Sequence, residues 1–336
     1  MQPNLPIIIS CGDPAGIGLE LIFKAWLQRT EKKLPPFICL ADPEYTNKQK
    51  KILNFNIPVA SINTPLEFKI FDNYLPIIPL KNKITGELAK PNTENASAII
   101  ESISRSVEYI AKNQARALVT CPISKNNLYQ SGFTFPGHTE FLAALAKKFF
   151  NQDATPVMML AGETLKTVPI TIHIPLSEVA ERLSKEVIID TATIVHNELV
   201  NKFKITSPRI VITGINPHAG EAGTIGSEEE TIIIPAINYL KQNKNINILG
   251  PFPADTLFHS EARQKYDVAL CIYHDQALIP IKTLHFHDAV NITLGLPFVR
   301  TSPDHGTAFD IATKNIANAD SLIEAIKTAD KLTKAF

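Results

Sequence analysis

The sequence predicts a doubly wound α/β architecture. Three observations predict it: short β-branched runs alternate with amphipathic stretches, several of those runs are apolar on both faces, and the 336 residues are 45% hydrophobic. Alternation of this kind builds a mostly parallel sheet covered by helices, and strands buried on both faces read as continuous apolar runs. The length suits two domains or one large one, with enough apolar surface for a sizeable core.

The elements follow in chain order. Ile7–Ser10 and Phe37–Ala41 are the first strand candidates. Residues 43–95 are the least regular part, with scattered Pro, Asn and Lys and mixed strands. Ile99, Ile103, Val107 and Ile110 recur at helical spacing. Further strand candidates are Ala117–Cys121, Val157–Ala161, Val168–His173, Arg209–Thr213, Ile246–Leu249, Asp267–Tyr273 and Val290–Leu294. Ser227 with Glu230 reads as a capping box, with Glu228 and Glu229 in the first turn, and Pro235 is expected to kink or end that helix. Ser321 with Glu324 reads as another, opening a helix that carries Leu322, Ile326 and Ala329. There is no repeat and no low-complexity linker. Two domains without a linker imply that the chain crosses between them more than once and leaves a cleft.

Composition excludes several classes. Lys+Arg and Asp+Glu are both 33, so the formal charge is zero. Nucleic acids and anionic membranes select for a basic excess, so neither is expected as a main partner. Cys11, Cys39, Cys121 and Cys271 form no CxxC pair and lie in or beside apolar runs, as buried thiols of a reducing compartment do. The N-terminus has no basic n-region, and no apolar run approaches the roughly 20 residues of a membrane span. A cytoplasmic location is expected.

Three histidines sit where strand-like runs give out: His173 in TVPITIHIPL, His218 in RIVITGINPHAG and His274 in DVALCIYHDQ. Open α/β sheets bind ligands outside the carboxyl ends of their strands, and three neutral imidazoles with an open position suit a catalytic metal. A glycine-rich turn, Cys11 to Glu20, follows the first strand, and neither a GxGxxG nor a P-loop occurs. His138 and Thr139 open an alanine- and leucine-rich helix after Pro136-Gly137, which reads either as a place for a phosphate or carboxylate or as a Thr139 cap with His138 on the surface. The loop Asn216–Gly226 is rich in glycine. Asp275 follows His274 directly, Asn291 lies in VNITLGLP, and Lys282 and Arg300 taken singly read as solvated surface charges. Beside a metal such cations make sense for an anionic substrate. Asp304–Ala312 is a further candidate ligand loop. His196 falls on an amphipathic helix, His259 on a helix surface, and His285 with His287 on an exposed strand or loop. Nothing supports a nucleophilic serine or cysteine.

GDPAGIG, PGHTE, NPHAGE, PADT, YHDQ, VNITLGLP and DHGTA, in this order over nearly the whole chain, resemble the PdxA family, the 4-hydroxythreonine-4-phosphate dehydrogenases of pyridoxal phosphate biosynthesis. The resemblance implies two α/β/α domains flanking a cleft, isocitrate/isopropylmalate dehydrogenase-like: residues 1–130 with 285–336 on the cofactor side, and 131–284 with the metal site and the dimerisation surface. It implies a homodimer with shared active sites and one divalent metal (Zn, Mg or Co) on His173, His218 and His274. It puts substrate contacts on His138, Thr139, Lys282, Asn291 and Arg300. NAD or NADP is expected near Gly12, Asp13, Gly16, His305, Gly306 and Asp310, the last three because DHGTAFDIATKNIAN is similar to the cofactor loop of isopropylmalate dehydrogenases. Asp255 and Asp275 are the candidate proton acceptors. The implied reaction oxidises 4-phosphohydroxy-L-threonine at C3 and decarboxylates the product to 3-amino-2-oxopropyl phosphate. Two departures stand out: Leu19, where many members have Pro, and TLHFHDA, where the family is glycine-rich. The second leaves open a related oxidative decarboxylase acting on threonate 4-phosphate or a dihydrodiol carboxylate. A metal-dependent hydrolase or lyase and a non-catalytic small-molecule binder are the readings from other classes.

Overall fold

The computed structural model describes residues 4–135 and 137–334; Pro136 of the PGHTE motif lies outside them, as do residues 1–3 and 335–336. The chain divides into two units, residues 1–156 with 296–336 and residues 157–295.

The first unit opens with β1 (Ile7–Ser10), α1 (Gly18–Leu27), β2 (Phe37–Ala41), α2 (Pro43–Ile52), β3 (Val59–Ser61), β4 (Leu75–Pro79), α3 (Ala96–Ala111), β5 (Ala117–Thr120), α4 (Lys125–Gln130) and α5 (His138–Phe150). The second holds β6 (Val157–Ala161), β7 (Lys166–Thr171), α6 (Val179–Arg182), α7 (Lys185–Asn201), β8 (Ile210–Thr213), α8 (Ile234–Lys244), β9 (Ile248–Phe252), α9 (Ser260–Arg263), β10 (Val268–Tyr273), α10 (His274–Leu284) and β11 (Val290–Leu294). The chain then re-enters the first unit with β12 (Val299–Pro303) and α11 (Asp320–Lys334). These boundaries fall later than the expected 130/131 and 284/285. Helix α5 packs on α3, and its Phe150 stacks on Phe298, so it belongs to the first unit. Strand β11 pairs antiparallel with β6 and so belongs to the second.

In the first unit the strands run β3-β4-β2-β1-β5-β12, every pair parallel. All residues of β1, β2, β5 and β12 are buried, as strands covered on both faces must be. The order reverses between β1 and β5, which puts a topological switch point at their carboxyl ends. In the second unit the order is β11-β6-β7-β10-β8-β9; β6 is antiparallel to both neighbours and the other pairs are parallel. Strand β10 lies between β7 and β8, so the carboxyl ends of all three share one edge.

Local reading of the sequence goes astray at three places. Strand β12 has Pro297 before it, Pro303 at its end, and Arg300, Thr301 and Ser302 inside, which conceals it from a periodicity argument. Pro235 neither kinks nor ends its helix, because a π-helical turn, Glu229–Ile233, precedes it and puts the proline in the first turn of α8, where no N–H partner is needed. Ser321 does not cap α11: Asn318 Oδ1 accepts from the Asp320 N–H, and the Ser321 hydroxyl accepts from the Asp304 N–H. Among the described residues no helix is long and apolar enough to cross a membrane.

Candidate active site

In the second unit, register sets the histidines. Tyr273 on β10 pairs with Thr171 on β7. The residues that follow, His274 and His173, therefore emerge side by side, with ring centroids 5.9 Å apart. His274 is the first residue of α10, and its Nδ1 lies 2.7 Å from Asp275 Oδ1. A carboxylate on Nδ1 fixes the tautomer and leaves Nε2 as the donor toward a metal. Both rings, with Asp275, Tyr273, Leu176 and Val179, line a cavity of about 290 Å³.

His218 lies five residues beyond β8, within a run of left-handed backbone. Among the described residues no three His, Cys, Asp or Glu side chains converge on one metal position. His173 and His274 adjoin without a third such ligand completing a metal set among the described residues. Both His173 (φ 52°) and His218 (φ 53°) are left-handed, a conformation that is uncommon for non-glycine residues and collects at functional sites. Gln276, which motif reading passed over, ties this edge together. Its Oε1 accepts from the Ile272 N–H (2.9 Å) and the Thr213 hydroxyl (2.8 Å), and its Nε2 donates to the Gly214 carbonyl (2.9 Å). Only the fold exposes that role, since its partners are four to sixty-three residues away.

The other expected residues of this unit are placed as follows. Asp255 is exposed in the short turn after β9. Lys282 lies on α10 with Nζ 5.7 Å from the Phe286 ring centroid. Asn291 is half-buried on β11, opposite Leu160. His285 departs from the exposed position expected of it: it is buried, and its ring fills the space over Gly162, where a Cβ would come within 2.3 Å of it. Its Nε2 meets Thr164 Oγ1 at 2.9 Å and its Nδ1 meets Asp288 Oδ2 at 3.1 Å. His285 is a packing residue because the turn after β6 carries no side chain at Gly162.

In the first unit, Arg300, Lys125 and His138 lie together near the carboxyl end of β5. Arg300 on β12 is 5% exposed, not a solvated surface charge. Its Nε (3.1 Å) and NH2 (2.6 Å) donate to Thr120 Oγ1 at the end of β5. Burial brings the guanidinium down to about 10, so it stays charged at neutral pH. His138 opens α5, and although the residue is half-buried its Nε2 is fully buried with no hydrogen-bond partner. Burial, then the positive charges of Arg300 and Lys125, push this imidazole well below its usual range. A neutral imidazole with an unsatisfied buried nitrogen, two cations and the N-terminus of a 13-residue helix form a fitting place for phosphate or carboxylate. Thr139, half-buried, is the second residue of that helix.

The two motifs expected near the nicotinamide cofactor meet in the first unit. The Ile17 N–H donates to the Thr307 carbonyl (3.1 Å), and a Cβ at Gly16 would lie 2.7 Å from that oxygen. Gly12 (φ 75°) leaves no room for a Cβ either, which would lie 2.5 Å from the Pro122 carbonyl. Asp13 is buried, its Oδ1 accepting from the Ala15 N–H and its Oδ2 from Asn127, and burial raises its carboxyl above the usual range. These three residues are occupied by contacts within the protein. Gly306 differs: a Cβ there would meet nothing within 4 Å, and Asp310 on the same loop is exposed. His305 Nδ1 lies 3.0 Å from the Gly306 carbonyl. All four cysteines are buried and free, and burial pushes the Cys11 thiol up to about 12, so a thiolate nucleophile is absent there.

A parallel α/β first unit with a buried arginine beside a neutral histidine, and a second unit with two adjoining imidazoles at its strand ends, define an α/β protein of the class suited to small anionic ligands. The family model described as "Pyridoxal phosphate biosynthetic protein PdxA" matches residues 32–329. The chain belongs to the PdxA family. A 4-hydroxythreonine-4-phosphate dehydrogenase of Methylorubrum populi is 48% identical to it over 331 residues, 98% of this chain and 95% of that one. The crystal structure of a 4-hydroxythreonine-4-phosphate dehydrogenase from Klebsiella pneumoniae is similar at a TM-score of 0.87 and 32% identity, covering 98% of this chain and 99% of that one. One from Burkholderia phymatum is similar at a TM-score of 0.83 and 33% identity, covering 98% of each.

Proposed function

We propose that this chain is a cytoplasmic 4-hydroxythreonine-4-phosphate dehydrogenase. It oxidises C3 of 4-phosphohydroxy-L-threonine, and the resulting 3-keto acid loses CO₂ to leave 3-amino-2-oxopropyl phosphate. The near-full-length likeness to curated dehydrogenases carries the reading. The anion pocket supports it independently, because the substrate bears a phosphate and a carboxylate.

The residues are assigned tasks by their surroundings. Arg300, His138 and Thr139 hold the phosphate, with Lys125 adding positive charge. Neutral His138 donates through Nε2 to a phosphate oxygen and so satisfies the atom left unpaired. Lys282 and Asn291 contact the remaining polar groups of the substrate. His173 and His274, with His218, hold a divalent ion (Zn, Mg or Co), the third imidazole completing the set in a homodimer with shared sites. Two adjoining imidazoles, one oriented by a carboxylate, fit such an ion. When bound, that ion acts as a Lewis acid and makes a hydroxyl easier to deprotonate. NAD or NADP, which takes the hydride, is assigned to the His305–Asp310 loop, where the backbone at Gly306 is open to approach. Asp275 is engaged with His274, which leaves Asp255 as the carboxylate free to take the proton.

The test is formation of reduced cofactor from 4-phosphohydroxy-L-threonine, with NAD and NADP in parallel, with and without chelator. Turnover that vanishes on chelation and returns with metal supports the reading. Preference for threonate 4-phosphate or a dihydrodiol carboxylate would replace the substrate, and turnover without metal would remove the metal's role.

A further inference from the structure

We infer that Glu229 is a positioning residue for His218: its buried carboxyl group holds the left-handed loop that presents this imidazole. The inference rests on the reading of His218 as a metal ligand. Six consecutive residues, His218, Ala219, Gly220, Glu221, Ala222 and Gly223, have φ between 43° and 83°. Four of them carry side chains, for which the left-handed region is unfavourable. Such a run persists only where the surroundings over-determine it.

Glu229 supplies that constraint. It is 2% exposed, on the π-helical turn before α8. Its Oε1 accepts from the Asn216 backbone N–H at 2.8 Å, and its Oε2 accepts from Asn216 Nδ2 at 2.9 Å. Asn216 Nδ2 also donates to Glu228 Oε2 at 2.8 Å. The loop closes over this carboxyl group without spare room. A Cβ on Gly214 would lie 2.9 Å from Oε1, and one on Gly220 would lie 2.6 Å from Oε2. Glu229 is thus wedged between the start and the middle of the loop. Gln276 anchors the same Gly214 to β10, the strand that delivers His274. The carboxyl group therefore ties the position of His218 to the edge where the other two imidazoles emerge. A buried acid satisfied by the very backbone it bends is costly to remove, because the donors it engages lose their partner.

Co²⁺ titration of the full-length protein, followed by its visible absorption, tests this together with amide hydrogen exchange over residues 214–226. Glu229→Ala is expected to weaken Co²⁺ binding about ten-fold or more and to speed exchange across the loop, with helix content unchanged. Saturating Co²⁺ should restore turnover in Glu229→Ala but not in His218→Ala, a rescue that general loss of structure would not allow. Glu229→Gln retains an acceptor for the Asn216 N–H but sets its amide against Asn216 Nδ2. It should fall between the two, and it carries the test should the alanine variant not fold. Unchanged loop exchange and unchanged Co²⁺ affinity overturn the inference. If the wild type takes up no Co²⁺ while loop exchange still rises in Glu229→Ala, the metal reading fails and the loop-holding role stands.

Discussion

At the scale of single residues, Arg300 and His138 carry the proposed anion site through burial and charge. A buried guanidinium that donates to the Thr120 hydroxyl stays charged, and the neighbouring imidazole is kept neutral by burial and by that charge. Removing the guanidinium by Arg300→Ala should raise KM for the phosphorylated substrate about ten- to hundred-fold, the loss of a charged hydrogen bond. Steady-state kinetics would show it, and an unchanged KM would refute the assignment. Arg300→Lys should recover only part, because a point charge cannot reproduce the planar fork. His138 also makes stability depend on pH. Its folded value lies well below the ordinary 6.5, so the unfolded chain takes up a proton first as pH falls. The stabilising effect of a neutral His138 is present above about 6.5 and is lost as pH falls through that value, by at most about 1.4 kcal/mol per pH unit. Urea unfolding at two pH values on either side should show a smaller decline for His138→Asn than for the wild type. An equal decline would mean that the ring is not held neutral.

At the scale of elements, turns and helix starts decide what the strands deliver. The turn between β6 and β7 closes over the ring of His285 because Gly162 has no Cβ. Gly162→Ala should therefore destabilise the second unit by about 1–3 kcal/mol, the cost of overpacking a filled site. Combining it with His285→Ala should be less harmful than the sum of the two single changes, because the vacated ring makes room for the methyl group. Urea midpoints of the four proteins form the cycle, and simple additivity would mean the two positions do not compete for space. The segment TLHFHDA, the departure from the family's glycine-rich pattern, thus acts partly as packing through His285. Phe286, 69% exposed, lies beside Lys282 and changes the apolar surroundings of that cation. The π-helical turn before α8 has a similar twofold effect: it absorbs Pro235 and aims Glu229 into the loop of His218.

At the scale of the whole molecule, His173 adjoins His274, and among the described residues no third ligand completes a metal set. In the proposed homodimer with shared sites, His218 and His274 of one metal position come from different chains. Mixing His218→Ala with His274→Ala subunits should then rebuild intact positions, roughly a quarter of the wild-type number for random 1:1 pairing. Native mass spectrometry would verify the mixed dimers, and mixed dimers without recovered activity would assign both residues to a single chain. Much of the architecture is legible in the linear order of residues. Apolar runs such as Ile7–Ser10 and Val290–Leu294 are continuous because they are buried on both faces, and three of them break off at a histidine or shortly before one. Strand β12 was not legible, and with it went the burial of Arg300, because Arg300 bonds Thr120, 180 residues away, and Thr301 bonds the Ala325 carbonyl. Nor was the burial of His285, which depends on a glycine 123 positions earlier in the chain. By itself the sequence determined the alternation of strands and helices, the supply of imidazoles and cations, and the family, since these depend on local periodicity and residue chemistry. Only the tertiary structure decided that β10 lies between β7 and β8, that two imidazoles adjoin while the third sits on a left-handed loop, and that an arginine is buried beside an unsatisfied histidine. Those outcomes depend on strand pairing and side-chain packing across distant segments, whose energies no local window of sequence contains.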